Sequence, residues 1–168
     1  MKVIVPKNVE SEGRDRRRRL SPHAFRLGGM TFATTLGQML KLHPRANEAV
    51  CGSEVEGERS YLIPSPGLRF ISATFRGERL HELVANFGEG DLARIGGKPG
   101  LAAKVIRKLW SPDSFAGPAD EPYSLTWRSH PSGVTIVLYL NPKSASLVIT
   151  ADETREAGSV RRRAAVGA

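Results

Sequence analysis

The densest chemical feature of this chain is a run of arginines: Arg14, Arg16, Arg17, Arg18 and Arg19. Guanidinium groups at that density release counterions when they meet phosphates, so a flexible arm of this kind can track a nucleic-acid backbone without reading bases. The same run suits an anionic membrane surface or a localisation signal. It also suits a solvated tail that keeps the protein soluble. The formal net charge is +8 over 168 residues, but it is unevenly placed. Residues 1–27 carry eight basic against three acidic side chains, 152–168 carry four against three, and 28–151 carry thirteen against eleven. The middle is therefore nearly neutral, and the high isoelectric point is no argument that the folded part binds nucleic acid.

The other reactive residue types form no recognised constellation. The glycine-rich stretch 88–100 follows a predicted strand and precedes a predicted helix, where phosphate loops sit. It lacks the G-x-x-x-x-G-K-[ST] spacing, because Pro99 follows Lys98, and Glu89 and Asp91 would repel a phosphate. It reads as a flexible connection. His23, His43, His81 and His130 show no metal-ligand spacing. Cys51, the single cysteine, has Glu48 and Glu54 nearby in sequence, which would raise its pKa, so it reads as an idle thiol. No nucleophile elbow occurs. Neither catalysis nor a cofactor or metal is expected.

The elements that would position any site follow from periodicity. Leu36, Met39, Leu40 and His43 share one helical stripe, Thr35 and Gln38 have capping-box spacing, and Pro44 ends the helix. Strands are predicted over 59–63, 68–75 and 80–87, with a turn at Arg76-Gly77-Glu78. A second amphipathic helix is predicted over 99–110, with Leu101, Val105 and Leu109 as its core stripe and Ala102, Ile106 and Trp110 beside it. Strands over 123–129, 134–140 and 147–151 complete the pattern. In the first, Tyr123, Leu125 and Trp127 share a face. The apolar runs are too short for a membrane span or a signal peptide, and the reading is a cytoplasmic protein.

The order helix, strand, strand, strand occurs twice, at an offset of about 66 residues that sets Tyr61 on Trp127 and Gly67 on Gly133. Three segments carry a resemblance: GMTFATTLGQMLKLHP, FRGERL and YSLTWRSHPSGVTIVLYL. They are similar to the β-lactamase-inhibitor-protein-like fold, which small outer-membrane-assembly lipoproteins also use. The resemblance implies tandem αβββ units with helices over one face of an antiparallel sheet, and a role in binding proteins rather than in catalysis.

The expected protein is thus an α+β domain over 28–151, with units of about 28–90 and 91–151. A basic, disordered tail (1–27) and a flexible Arg-rich tail (152–168) flank it. If helices cover one side of the sheet, Arg69, Thr126, Arg128, Thr135 and Tyr139 would lie on the other, open to an unknown protein partner. The alternative is a nucleic-acid-associated protein that holds phosphates through Arg14 and Arg16 to Arg19.

Overall fold

The computed structural model describes residues 25–49, 56–109, 111–118, 121–129 and 133–151. The expectations for residues 1–24 and 152–168, Cys51, Trp110, His23 and His130 lie outside these residues; the last residues of the expected N-terminal tail are ordered instead, with Leu27 bridging to Met30 and packing with Phe25 against the core, because their apolar side chains find buried surface there.

The first helix among the described residues is α1 (Leu36–Leu42), started by the predicted capping box. The Gln38 N–H donates to Thr35 Oγ1 at 3.3 Å, and the Thr35 N–H donates to Gln38 Oε1 at 2.9 Å. Leu36 and Met39 bury, but Leu40, expected on the same stripe, is 42% exposed. A seven-residue helix turns only a narrow face inward, and Leu40 lies at its margin.

Four strands follow: β1 (Asn47–Ala49), β2 (Glu58–Ile63), β3 (Phe70–Arg76) and β4 (Arg79–Phe87). Helices α2 (Glu89–Arg94) and α3 (Gly97–Leu109) come next, then β5 (Ser114–Ala116), β6 (Ser124–Ser129), β7 (Val134–Leu140) and β8 (Ala145–Ala151). Among the described residues each half therefore holds four strands, one more than the spacing predicts. All eight form one antiparallel sheet in the order β1-β2-β3-β4-β8-β7-β6-β5. The two halves meet at the β4–β8 seam, where Leu83 faces Ile149 and Val84 faces Val148.

The stretch 88–100 is not the flexible connection expected from its glycines. The Gly88 N–H donates to Asp91 Oδ2 at 3.0 Å, Leu92 is buried, and the segment forms α2 and the first turn of α3. One glycine is there for close approach: a Cβ on Gly100 would overlap the Ile95 carbonyl oxygen, so the α2–α3 corner closes only around a bare backbone.

A single apolar cluster holds the fold together. Alternate residues of the strands, among them Tyr61, Ile71, Phe75, Leu83, Trp127, Ile136, Leu138 and Ile149, bury with Leu36 and Met39 of α1, Leu92 of α2 and Leu101, Val105 and Leu109 of α3. The helices thus cover the sheet face that carries these residues.

Candidate functional site

Period-two alternation assigns the remaining strand residues to the opposite face. One cross-strand row runs from edge to edge through all eight strands: Asn47, Leu62, Ser72, Val84, Val148, Val137, Thr126 and Ser114. At about 4.8 Å between strands the row is about 34 Å long. Four of its eight side chains are aliphatic, and Leu62 is 37% exposed. A second row holds Ser60, Thr74, Glu82, Thr150, Thr135 and Arg128, and a third holds Phe70, Asn86, Ser146, Tyr139 and Ser124.

The polar groups flanking the aliphatic row are largely satisfied across strands. The Ser60 and Thr74 hydroxyls are 3.0 Å apart, Ser146 Oγ donates to Asn86 Oδ1 at 3.0 Å, and Thr150 Oγ1 donates to Glu82 Oε2 at 3.4 Å. Arg76 Nε donates to Glu58 Oε1 at 2.7 Å. Groups already paired within the sheet need no new partners when a second surface covers them, so covering this face strands few donors or acceptors.

Four of the five residues expected on the open face are brought together there. Thr126 faces Val137, Arg128 faces Thr135, and Tyr139 faces both Ser124 and Ser146. Tyr139 is 46% exposed. The Arg128 backbone N–H donates to Asp113 Oδ2, which pins the loop before β5 to β6. Arg69 does not join them. It sits one residue before β3, in step with Ile71 and so with the helix-covered side, and its N–H donates to the Asn86 carbonyl at 2.9 Å. Its guanidinium lies 6.0 Å from the Phe70 ring centre, three strands from Thr135. A one-residue error in register moves a side chain to the other face, and that accounts for the misplacement. The aliphatic row itself, Leu62, Val84, Val137 and Val148, is missing from the sequence-based site. Its signal is valine at the outward positions of β4 and β8, where half-solvated strands ordinarily carry polar residues.

Two further clusters of side chains lie apart from this row. At the β1–β2 edge Arg59 grips Glu48 through two bonds of 2.9 Å and lies 5.6 Å from the Tyr61 ring centre. That guanidinium holds the Glu48 carboxyl below its ordinary pKa of 4.5. A depressed folded pKa gives stability that is present above about pH 4.5 and lost as the pH falls through the folded value. The Tm gap between wild type and Glu48→Gln should therefore be small at neutral pH, because the pair is exposed, and should close below pH 4.5. A gap that widens on acidification would contradict this assignment.

Tyr61 is 3% exposed and its ring meets Phe75 edge-on at 6.2 Å, yet its buried hydroxyl has no hydrogen bond of regular geometry. Burial pushes its pKa up. Tyr61→Phe should keep or raise stability, by up to about 1 kcal/mol. A loss above that size in urea denaturation would show that the hydroxyl has a partner.

The second cluster lines a shallow, open depression between Leu42–Ala46 and Ile63–Pro66. Its histidine, His43, is engaged, with Nε2 2.7 Å from the Gly28 carbonyl oxygen. Among the described residues no group of three or more His, Cys, Asp or Glu could hold a metal ion. Nor is any helix among them long and apolar enough to cross a membrane. The chain matches no family model, no curated protein and no solved structure.

Proposed function

We propose that this protein is a non-catalytic binding module that receives another protein on the open face of its sheet. The observation that carries the reading is the aliphatic row Leu62, Val84, Val148 and Val137, flanked by self-paired hydroxyls and by the aromatic rings of Phe70 and Tyr139. Apolar side chains outward on the three adjacent strands β4, β8 and β7 make a continuous patch, which Ser72 separates from Leu62, and such patches mark protein-interaction sites. Tyr139 and Arg128 are of the residue types that anchor interfaces.

We further infer that the two halves arose by duplication of one helix-plus-four-strand unit. Read inward from each edge, the sheet runs β1 to β4 and β5 to β8. Strands β2 and β6 begin 66 residues apart, at Glu58 and Ser124. Tyr61 and Trp127 are both buried at matching places, and Gly67 and Gly133 take φ of 76° and 65° in matching β2–β3 and β6–β7 turns. The resemblance to the β-lactamase-inhibitor-protein-like fold points the same way and implies the same kind of role.

The test is affinity capture from an extract of the source organism, with the immobilised full chain. Arg128→Glu with Tyr139→Ala should cut recovery of the captured protein at least about tenfold. An unchanged set of captured proteins, or none with wild type, would refute the reading.

A further inference from the structure

The near-neutral total of the folded part conceals a segregated charge. Helix α3 (GKPGLAAKVIRKL) carries four basic residues and no acid. Leu101, Val105 and Leu109 turn inward, while Lys104, Arg107 and Lys108 are exposed at i, i+3 and i+4 and so share one outward stripe.

Four basic side chains elsewhere are matched: Arg59 with Glu48, Arg76 with Glu58, Arg94 with Asp91 and Lys98 with Glu121 all lie within 4.0 Å. None of the three stripe residues makes a hydrogen bond or ion pair with a described residue. Like charges at i and i+4 destabilise a helix, so Lys104 beside Lys108 works against folding unless an anion meets them.

We infer that this stripe is a phosphodiester-contact surface, through which the folded domain docks on the backbone of a nucleic-acid duplex with its open sheet face turned away. Lys104 and Lys108 are about 6 Å apart along the helix axis, against one phosphate per about 3.4 Å along each strand, so neighbouring phosphates are within reach of both. The stripe differs from a membrane-surface helix. Such a helix lays large apolar residues into the bilayer beside its cations, whereas those of α3 are spent on the core and only Gly100 and Ala103 lie between the charges. With basic termini on the same chain, backbone contact is sequence-independent and additive.

The test uses the full chain and a fluorescent 20-base-pair duplex of arbitrary sequence, titrated between 50 and 200 mM salt. Lys104→Gln/Arg107→Gln/Lys108→Gln keeps good helix formers on an exposed face. The slope of log K against log salt should flatten by about 2–3, since each lost phosphate contact removes about 0.9. Affinity at the lower salt should fall at least tenfold. Lys143→Gln, in the β7–β8 turn, should leave the slope unchanged, and protein capture by the triple variant should be intact. An unchanged slope, no duplex binding by wild type, or binding to phosphatidylserine vesicles in place of the duplex would each overturn the inference. Lys104→Glu alone, expected to weaken binding more than Lys104→Gln, keeps the test decisive if the triple variant misfolds.

Discussion

Trp127→Ala should destabilise the protein by about 3–5 kcal/mol, the largest loss expected from any single truncation here. Trp127 is fully buried and is the bulkiest such side chain among the described residues. It faces Ile136 across β6–β7, Ile136 faces Ile149 across β7–β8, and Ile149 faces Leu83 across the seam. Removing the indole opens a cavity at one end of a row that crosses from the second half into the first. Against a total stability of about 5–15 kcal/mol, the variant should melt about 10 °C or more below wild type. Because one cluster spans both halves, the loss should appear as a shift of one transition. A loss under 1 kcal/mol, or two transitions of which only one moves, would contradict the single shared core.

The second large effect concerns binding with the fold intact. Val137→Lys with Val148→Glu places opposite charges on directly facing residues of β7 and β8. Such a pair supports the sheet, so Tm should stay within a few degrees. At a docked interface the same pair would be forced out of water at the centre of the aliphatic row, and the desolvation cost should lower affinity for the captured protein at least a hundredfold. Retained binding with retained folding would remove the open face from the account. Lost folding would show that Val137 and Val148 are core residues.

Much of this architecture was legible because strict alternation survives in the sequence. Strand β7 (Val134–Leu140) has its predicted bounds, since Val134, Ile136, Leu138 and Leu140 leave no other register. The capping box of α1 was equally plain. The two missed strands, Asn47–Ala49 and Ser114–Ala116, are three residues long and have no buried position, so no periodicity can mark them. Strand β5 pairs only with β6, and its Phe115 is 57% exposed. Tyr123, placed by alternation with Leu125 and Trp127, lies just before β6 and is 62% exposed, because the alternation that buries its neighbours stops at the end of the strand.

The stretch 88–100 shows a different limit. Glycine count suggested a loose connection, whereas Leu92 is drawn into the core and Gly100 permits a tight corner. Of the open-face site, the hydroxyls, Arg128 and Tyr139 could be found by alternation. The aliphatic row could not, because outward valines look like core residues until β4 is seen beside β8. That pairing joins residues about 58 to 68 positions apart, and only the closed sheet reveals it. The unpaired stripe of α3 was visible as the polar side of an amphipathic helix. Its meaning depends on where the carboxylates of the fold go, which sequence does not show.

The most direct measurement places a photocrosslinking amino acid at Val148, on the open face, and separately at Ala103, on the outward side of α3. The protein partner should be covalently captured from Val148 and not from Ala103. Capture from Ala103 alone would contradict the open-face reading.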